Sequence, residues 1–373
     1  MMKASRNCVP QHKEEPGGRL RGRRPLFGNS MREKRTGLKI LSAILFSVIV
    51  MILAVGLGSV SLSPGKIMAI LFHKLFGREL PGGITASMVS ILWDIRIPRA
   101  ACAFIVGAML SLSGAVVQSL LQNPLASSYT LGVSSGASLG AAIIIVSGIT
   151  LPILNYLLLP LTGFVFGLAT VLLVLFCSVR LDRNLRSHTI ILFGMILSLF
   201  VNAILTMLSA AFSQHMQRLI LWQMGSFSGR RWEHAGILLV ICVAGTFLTC
   251  MFHRELDLMS FGEEDASSVG VDTSRSRFIL LILSSVLTGA AVCFTGVIGF
   301  IDLAAPHAVR RLFGASHRIL LPMSALIGGA FLTLADLLAR TVLSPQEIPV
   351  GAVTALLGAP FFLWVYFGSR RRI

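Results

Sequence analysis

The chain has 373 residues, of which 54% are hydrophobic and only 13% charged, with a formal net charge of +16 and a mean hydropathy of +0.81. A water-soluble globular protein of this length has too little interior for so much apolar surface and needs more charge to keep its exterior wet, so that class is excluded. The medium for most residues is lipid.

Residues 1–39 carry eleven Lys and Arg against Glu14, Glu15 and Glu33, a net +8 and half of the total. Such a tail would suit nucleic acid. A basic segment just before an apolar span is, however, the ordinary mark of the cytoplasmic side, where anionic lipid headgroups add attraction. Membrane lipid is therefore the expected partner, and no nucleic acid is. Residues 1–30 mix Pro, Gly and charge without periodicity, which predicts disorder in a cytoplasmic tail over residues 1–37. The apolar run begins near Leu38 and is too long for a cleavable signal peptide. Met31 opens a more usual short basic leader and is an alternative start to Met1.

Stretches able to cross about 30 Å of hydrocarbon lie at 40–62, 100–121, 130–148, 152–179, 189–212, 235–252, 278–300, 319–338 and 349–367, with a shorter apolar piece at 301–313. The C-terminal segment 369–373 is also basic, through Arg370, Arg371 and Arg372. Both termini are therefore expected in the cytoplasm, which requires an even number of crossings. Counting 301–313 as a short or half-inserted helix gives ten in a transmembrane domain of residues 38–368. The expected class is an all-α polytopic membrane protein. Several outer loops remain basic, through Lys66, Lys74, Arg78, Arg96, Arg99, Arg218, Arg230, Arg231 and Arg340, so the charge bias is moderate.

Between the first two spans, residues 63–95 are mixed and partly amphipathic, as expected of a helix lying on the outer surface. The second and third spans are rich in small residues, including Gly107, Ser111, Ser113, Gly114, Gly136 and Gly140, which let helices approach closely in lipid. In the fifth span Gly194, Ser198, Asn202 and Thr206 recur every four residues along one drifting stripe. A polar stripe faces neighbouring helices or a water-filled pathway, and the pathway is favoured. Residues 213–234 follow, where Trp222 and Trp232 suit an interfacial belt.

The loop 253–277 is too long for a tight turn and has apolar positions of its own at Leu256, Met259, Phe261, Ala266, Val269 and Val271. It predicts one or two short helices, capped by Asp257 or Ser260 and broken at Gly262 and Gly270. Two readings stand: a solvated linker, or a docking element for a soluble partner. Beyond it, Asp302, His307 and Asp336 are the few intramembrane ionisable groups, each near an interface. His307 follows Pro306 at a break in the apolar run, with a structural role preferred over catalysis.

No GxxxxGK[ST] loop is present, so this chain does not hydrolyse ATP by that mechanism. HExxH and spaced metal-ligand clusters are missing too, and no convergent set of acid, base and nucleophile can be assembled, so neither an enzyme nor a metal site is expected. Five of the six cysteines sit in apolar segments and Cys8 lies in the tail; without CxxC spacing they read as small buried apolar residues.

Several motifs in order resemble the FecCD/BtuC-type permeases of ABC importers for iron siderophores, haem and vitamin B12. They are Arg96-Ile97-Pro98-Arg99, VGAMLSLSGAVVQSLLQNPLASSYTLGVSSGASLGA at 106–141, WQMGSFSGRRW at 222–232, MSFGEEDASSVGVD at 259–272, and the stretch from GVIGFIDLAAPHAVRRLFG to LLGAPFFL over 296–363. The resemblance spans about residues 38–368, and WQMGSFSGRRW is commoner in the iron-chelate branch.

It implies ten helices per subunit and a bacterial inner-membrane location. The implied partners are a second permease copy or paralogue, two cytoplasmic ATP-binding subunits that hold ATP and Mg, an extracytoplasmic binding protein, and an iron chelate as cargo. Haem or cobalamin is the alternative cargo, and an ATP-independent secondary transporter the alternative class. By the same resemblance Arg96, Arg99 and Arg340 dock the binding protein; Asn123, Leu125, Ser187 and His188 form the inner gate; and Leu258, Gly262, Glu263, Glu264 and Ala266 couple to the ATPase. Asp302 stands where a small residue is usual, and Ser128 replaces a frequent Pro.

Overall fold

The computed structural model describes the backbone of residues 27–58, 60, 62–150, 155–182 and 185–370. Two compact units are distinguished, residues 1–38 and 39–373. The expected disorder over residues 1–26 lies outside the described residues. From Phe27 the tail is helical, forming the start of α1 (Phe27–Gly56). That corrects the expectation for residues 27–37, where helix-favouring Met31, Arg32, Glu33, Lys34 and Arg35 follow the last proline of the tail.

Next come α2 (Pro64–Phe76) and the short α3 (Ala86–Ser90), which runs through a π-helical turn at Ile91–Arg96 into α4 (Ile97–Leu120). Residues 86–95 are thus the beginning of a 35-residue continuous element, Ala86–Leu120, and only α2 matches the expected surface helix. Thr85 caps that element by accepting from the Met88 N–H. The remaining helices are α5 (Val133–Ser147), α6 (Asn155–Leu181), α7 (Ser187–Ala211), α8 (Met216–Gln223), α9 (Trp232–Met251), α10 (His253–Met259), α11 (Glu263–Ser268), α12 (Thr273–Thr295), α13 (Ile301–Phe313), α14 (His317–Thr341) and α15 (Val350–Arg370).

Among the described residues seven helices are long and apolar enough to span a membrane, and Val133–Ser147 and Val350–Leu363 are shorter apolar helices. Among the described residues, each expected apolar stretch thus contains a helix. Burial ranks them: the most apolar window of α4 is 89% buried, those of α12 and α14 are 72% and 56%, and those of α1, α7 and α9 only 22%. The inner helices pack backbone to backbone. A Cβ at Gly107 of α4 would stand 2.7 Å from the Leu332 Cβ of α14, and one at Gly140 of α5 would stand 2.6 Å from the Thr162 carbonyl of α6. Dense packing by small residues is what lipid favours, since apolar burial gives helices no drive to associate there. Ser113 adds a buried polar pin, bonding the Ser128 hydroxyl (2.7 Å), the Thr288 hydroxyl (2.8 Å) and the Ser284 carbonyl (2.9 Å).

Candidate functional sites at the two ends of the bundle

One end of the bundle gathers the arginines expected to dock a binding protein. Arg96 and Arg99 flank the start of α4, and Arg340 lies in the last turn of α14. All three are buried: Arg96 is 4% exposed, and the side chains of Arg99 and Arg340 are each 8% exposed. The Arg99 guanidinium forks across two carboxylates, donating from Nη2 to Asp336 Oδ1 at 2.8 Å and from Nη1 to Glu347 Oε1 at 2.7 Å. Arg340 Nε stands 3.6 Å from the same Asp336, and its Nη2 donates to the Ala54 carbonyl. Arg96 donates to the carbonyls of Gly56 (2.9 Å) and Val60.

Ala54 and Gly56 belong to the last turn of α1, whose carbonyls lack intrahelical donors and where positive charge is favoured. The three arginines expected to dock a partner are thus matched within the chain, where they form an internal tie among α1, α4 and α14. Breaking such a buried pair leaves the other charge uncompensated, at a cost of about 3–5 kcal/mol. Asp336 and Arg340 show the i, i+4 spacing of a helical pair, whereas Glu347 carries no local signal. The exposed basic side chains of this end are instead Lys74, Arg78, Arg218 and Arg231. Trp232, expected in an interfacial belt, lies here too, its ring tilted against that of Trp93 at 5.4 Å and its Nε1–H bonded to the Trp93 carbonyl at 2.9 Å.

In the interior, α13 lies along α4. The backbone of Asp302 abuts Gly114, leaving no room there for a Cβ. Asp302 is 1% exposed, and its Oδ2 accepts from the Ser127 hydroxyl and from the Ser128 N–H, the latter at 3.2 Å. The short helix expected at 301–313 forms, and α13 runs straight through Pro306. Proline removes the N–H that would bond the Asp302 carbonyl, and Gln118 Nε2 of α4 donates to that carbonyl instead, at 3.1 Å. Arg310 secures the same seam by donating to Gln118 Oε1 and to the Ala115 carbonyl. His307 packs its ring 5.8 Å from that of Phe362.

Of the residues expected to line a pathway, Gly194 of α7 abuts the backbone of Thr130 and Ser198 is half-buried, whereas Asn202 and Thr206 are exposed. The Thr206 hydroxyl turns back to the Asn202 carbonyl at 2.8 Å. The stripe is thus packed at its start and open along its second half. The gate residues split similarly. Asn123 Oδ1 accepts from the Leu125 N–H at 2.9 Å, and the Ser187 hydroxyl stands 3.5 Å from the Leu120 carbonyl, so the turn after α4 adjoins the start of α7. Leu125 and His188 are exposed.

At this second end lies the loop expected to couple. It holds two short helices, α10 and α11, separated at Gly262 with φ 140 and ended at Gly270 with φ 90. Neither expected cap serves them: Gly262 precedes α11 and Phe252 precedes α10. Asp257 accepts from the His317 N–H (2.8 Å) and pairs with its Nδ1 (2.6 Å), capping α14 instead. Leu256, Met259 and Ala266 are buried, anchoring the pair on the bundle. Gln122 donates to the Met259 carbonyl at 2.9 Å, and Glu263 pairs with Arg277 of α12, which also reaches the Leu185 carbonyl at 2.8 Å. The outer face of the pair presents Leu258, Glu264 and Val269 together with Phe261, which at 78% is the most exposed large apolar side chain among the described residues. Phe261 was absent from the expected coupling set, although its place beside Gly262 in a polar loop was visible.

Among the described residues no three His, Cys, Asp or Glu are gathered as metal ligands, and the five described cysteines are free.

Comparison with known proteins agrees with this architecture. The model of the FecCD transport family matches residues 45–367. The chain is 39% identical to the uncharacterized ABC transporter permease protein YvrB of Bacillus subtilis, over 87% of this chain and 92% of that one. It is 33% identical to the Fe(3+)-citrate import system permease protein YfmE of the same organism, over 91% of this chain and 98% of that one. A solved structure described as a metal-chelate type ABC transporter in an inward-facing conformation superposes with a TM-score of 0.76 at 31% identity, covering 88% of this chain and 98% of the other.

Proposed function

This chain belongs to the FecCD transport family, and we propose that it is the permease subunit of a binding-protein-dependent importer that moves a ferric siderophore or related iron chelate into the cytoplasm. It is an ABC permease of the metal-chelate type, a transport component rather than an enzyme, and a multi-pass protein of the bacterial inner membrane. The chain crosses the membrane ten times with both termini in the cytoplasm, α13 serving as a half-length crossing. The basic ends support this, as does the grouping of Lys39, Arg277 and Arg310 at the α10–α11 end. Two permease copies enclose the pathway, with the open half of the α7 stripe, Asn202 and Thr206, turned towards it. The iron reading draws support from WQMGSFSGRRW and from the full-length likeness to an iron-citrate permease; haem or cobalamin is the second reading, favoured by the 38% identity to a cobalamin import permease of Halobacterium salinarum.

The mechanism is alternating access driven from outside the chain. ATP and Mg are held by separate cytoplasmic ATPase subunits, whose closure presses on α10 and α11. Their movement passes to the turn at Asn123 and to Ser187, where the inner gate opens. The observation that carries this reading is the α10–α11 face itself: anchored inward by Leu256, Met259 and Ala266, it exposes Phe261, Leu258 and Val269 in a polar loop. An exposed apolar patch beside acidic residues marks a docking surface. The binding protein docks at the opposite end, steered by Lys74, Arg218 and Arg231 on a face that the buried arginine tie keeps rigid.

Phe261→Ala tests the coupling claim. With the chain still folded and inserted, the variant should lose about 2 kcal/mol of affinity for its ATPase subunit, roughly thirtyfold, measured by copurification in detergent. Unchanged retention of the ATPase would remove α10–α11 as its contact.

A further inference from the structure

At the end of the bundle that carries the arginine tie, a cavity of about 410 Å³ opens between the start of α6, the segment 221–230 and the end of α12. It continues into a second, apolar groove of about 230 Å³ between α6, α9 and α12, the two sharing Pro160, Cys293 and Phe294. Arg230 lines the first part. Its Nε reaches only the Ser228 carbonyl, at a long 3.4 Å, and among the described residues no carboxylate forms an ion pair with it. Burial holds its guanidinium below the usual arginine value, so a counter-charge supplied from outside the chain is favoured. His234 stands beside it, edge-on between Tyr156 and Phe294. Its Nδ1 accepts from the Arg231 N–H at 3.1 Å, which leaves Nε2–H as the donor of the neutral ring.

We propose that this two-part site binds one anionic phospholipid, with its phosphate on Arg230 and one acyl chain in the groove between α6 and α9. A guanidinium fork matches phosphate oxygens, and a chain-shaped apolar groove continuing from that charge matches an amphiphile. The groove walls carry Leu157, Phe164, Ile237 and Ile241. From Leu157 to Phe164 it follows α6 for about 10 Å at ~1.5 Å per residue, within the ~15 Å depth of one leaflet. It opens sideways to the bilayer, because Leu161 on its rim is 52% exposed and the windows of α6 and α9 are only 33% and 22% buried. A water-soluble anion would use the charge and leave the groove empty. The inference goes beyond transport and stands whichever chelate is moved.

The full-length chain, purified and delipidated in detergent, is titrated with phosphatidylglycerol and with phosphatidylcholine, and bound lipid is counted by native mass spectrometry. The wild type should hold phosphatidylglycerol roughly tenfold more tightly, the worth of one charge-assisted contact. Arg230→Gln should erase that preference, Arg230→Lys should keep most of it, and Ile237→Trp, which fills the groove, should weaken both lipids alike. Glycerol 1-phosphate at the lipid's own concentration should displace neither. Equal binding of the two lipids by the wild type, or displacement by glycerol 1-phosphate or ferric citrate, would overturn the proposal. The wild-type preference needs no variant, so a variant that failed to fold would not shelter it.

Discussion

At position 302 a carboxylate is held inside the bundle by groups at positions 127 and 128, and both departures from the family pattern meet there. Asp302 Oδ2 accepts from the Ser128 N–H, a donor that the more usual proline would lack. The two residues therefore form one polar unit, which the sequence showed only as two unrelated departures. Proline fits the backbone at 128, since Ser127 before it is extended with ψ 150. Ser128→Pro should therefore act through the lost donor and cost about 1–3 kcal/mol. In an Asp302→Ala background the cost should shrink to that of the lost Ser113–Ser128 hydroxyl bond. A double-mutant cycle read by thermal unfolding in detergent measures the coupling; equal costs in both backgrounds would refute it.

Among the elements, α4 and α14 set how tightly the bundle closes. Gly107 and Gly328 lie against each other and against Ser111, so Gly107→Leu forces the helices apart. Its thermal midpoint in detergent should fall by the equivalent of about 1–3 kcal/mol or more, whereas Gly236→Leu on α9, with nothing within 4 Å, should leave it unchanged. A similar midpoint for both variants would contradict the packing account. The spans themselves were legible, because lipid demands long apolar runs. So was the two-helix loop, because Gly262 and Gly270 take positive φ that other residues resist. What local sequence could not show is partnership across the chain. Asp257 caps a helix that begins 60 residues later, and Arg99 meets Asp336 and Glu347 at separations of 237 and 248. Composition marks an arginine as outer or inner but says nothing of whether its charge is already matched within the chain.

The molecule as a whole joins a rigid end, tied by three buried arginines, to an end whose anchored helices offer an exposed apolar and acidic face. Between them run inner helices packed through glycine and outer helices open to lipid or to a second copy. The sequence holds no phosphate-binding loop of the GxxxxGK[ST] type, and on the function proposed above the work of moving cargo enters through α10 and α11. Uptake of radiolabelled ferric chelate into proteoliposomes tests this most directly, comparing vesicles that hold only this chain with vesicles that also hold the ATPase subunits and are given binding protein and ATP. Accumulation is predicted only in the complete set, with ATP hydrolysis required; accumulation against a gradient by the chain alone would contradict the account.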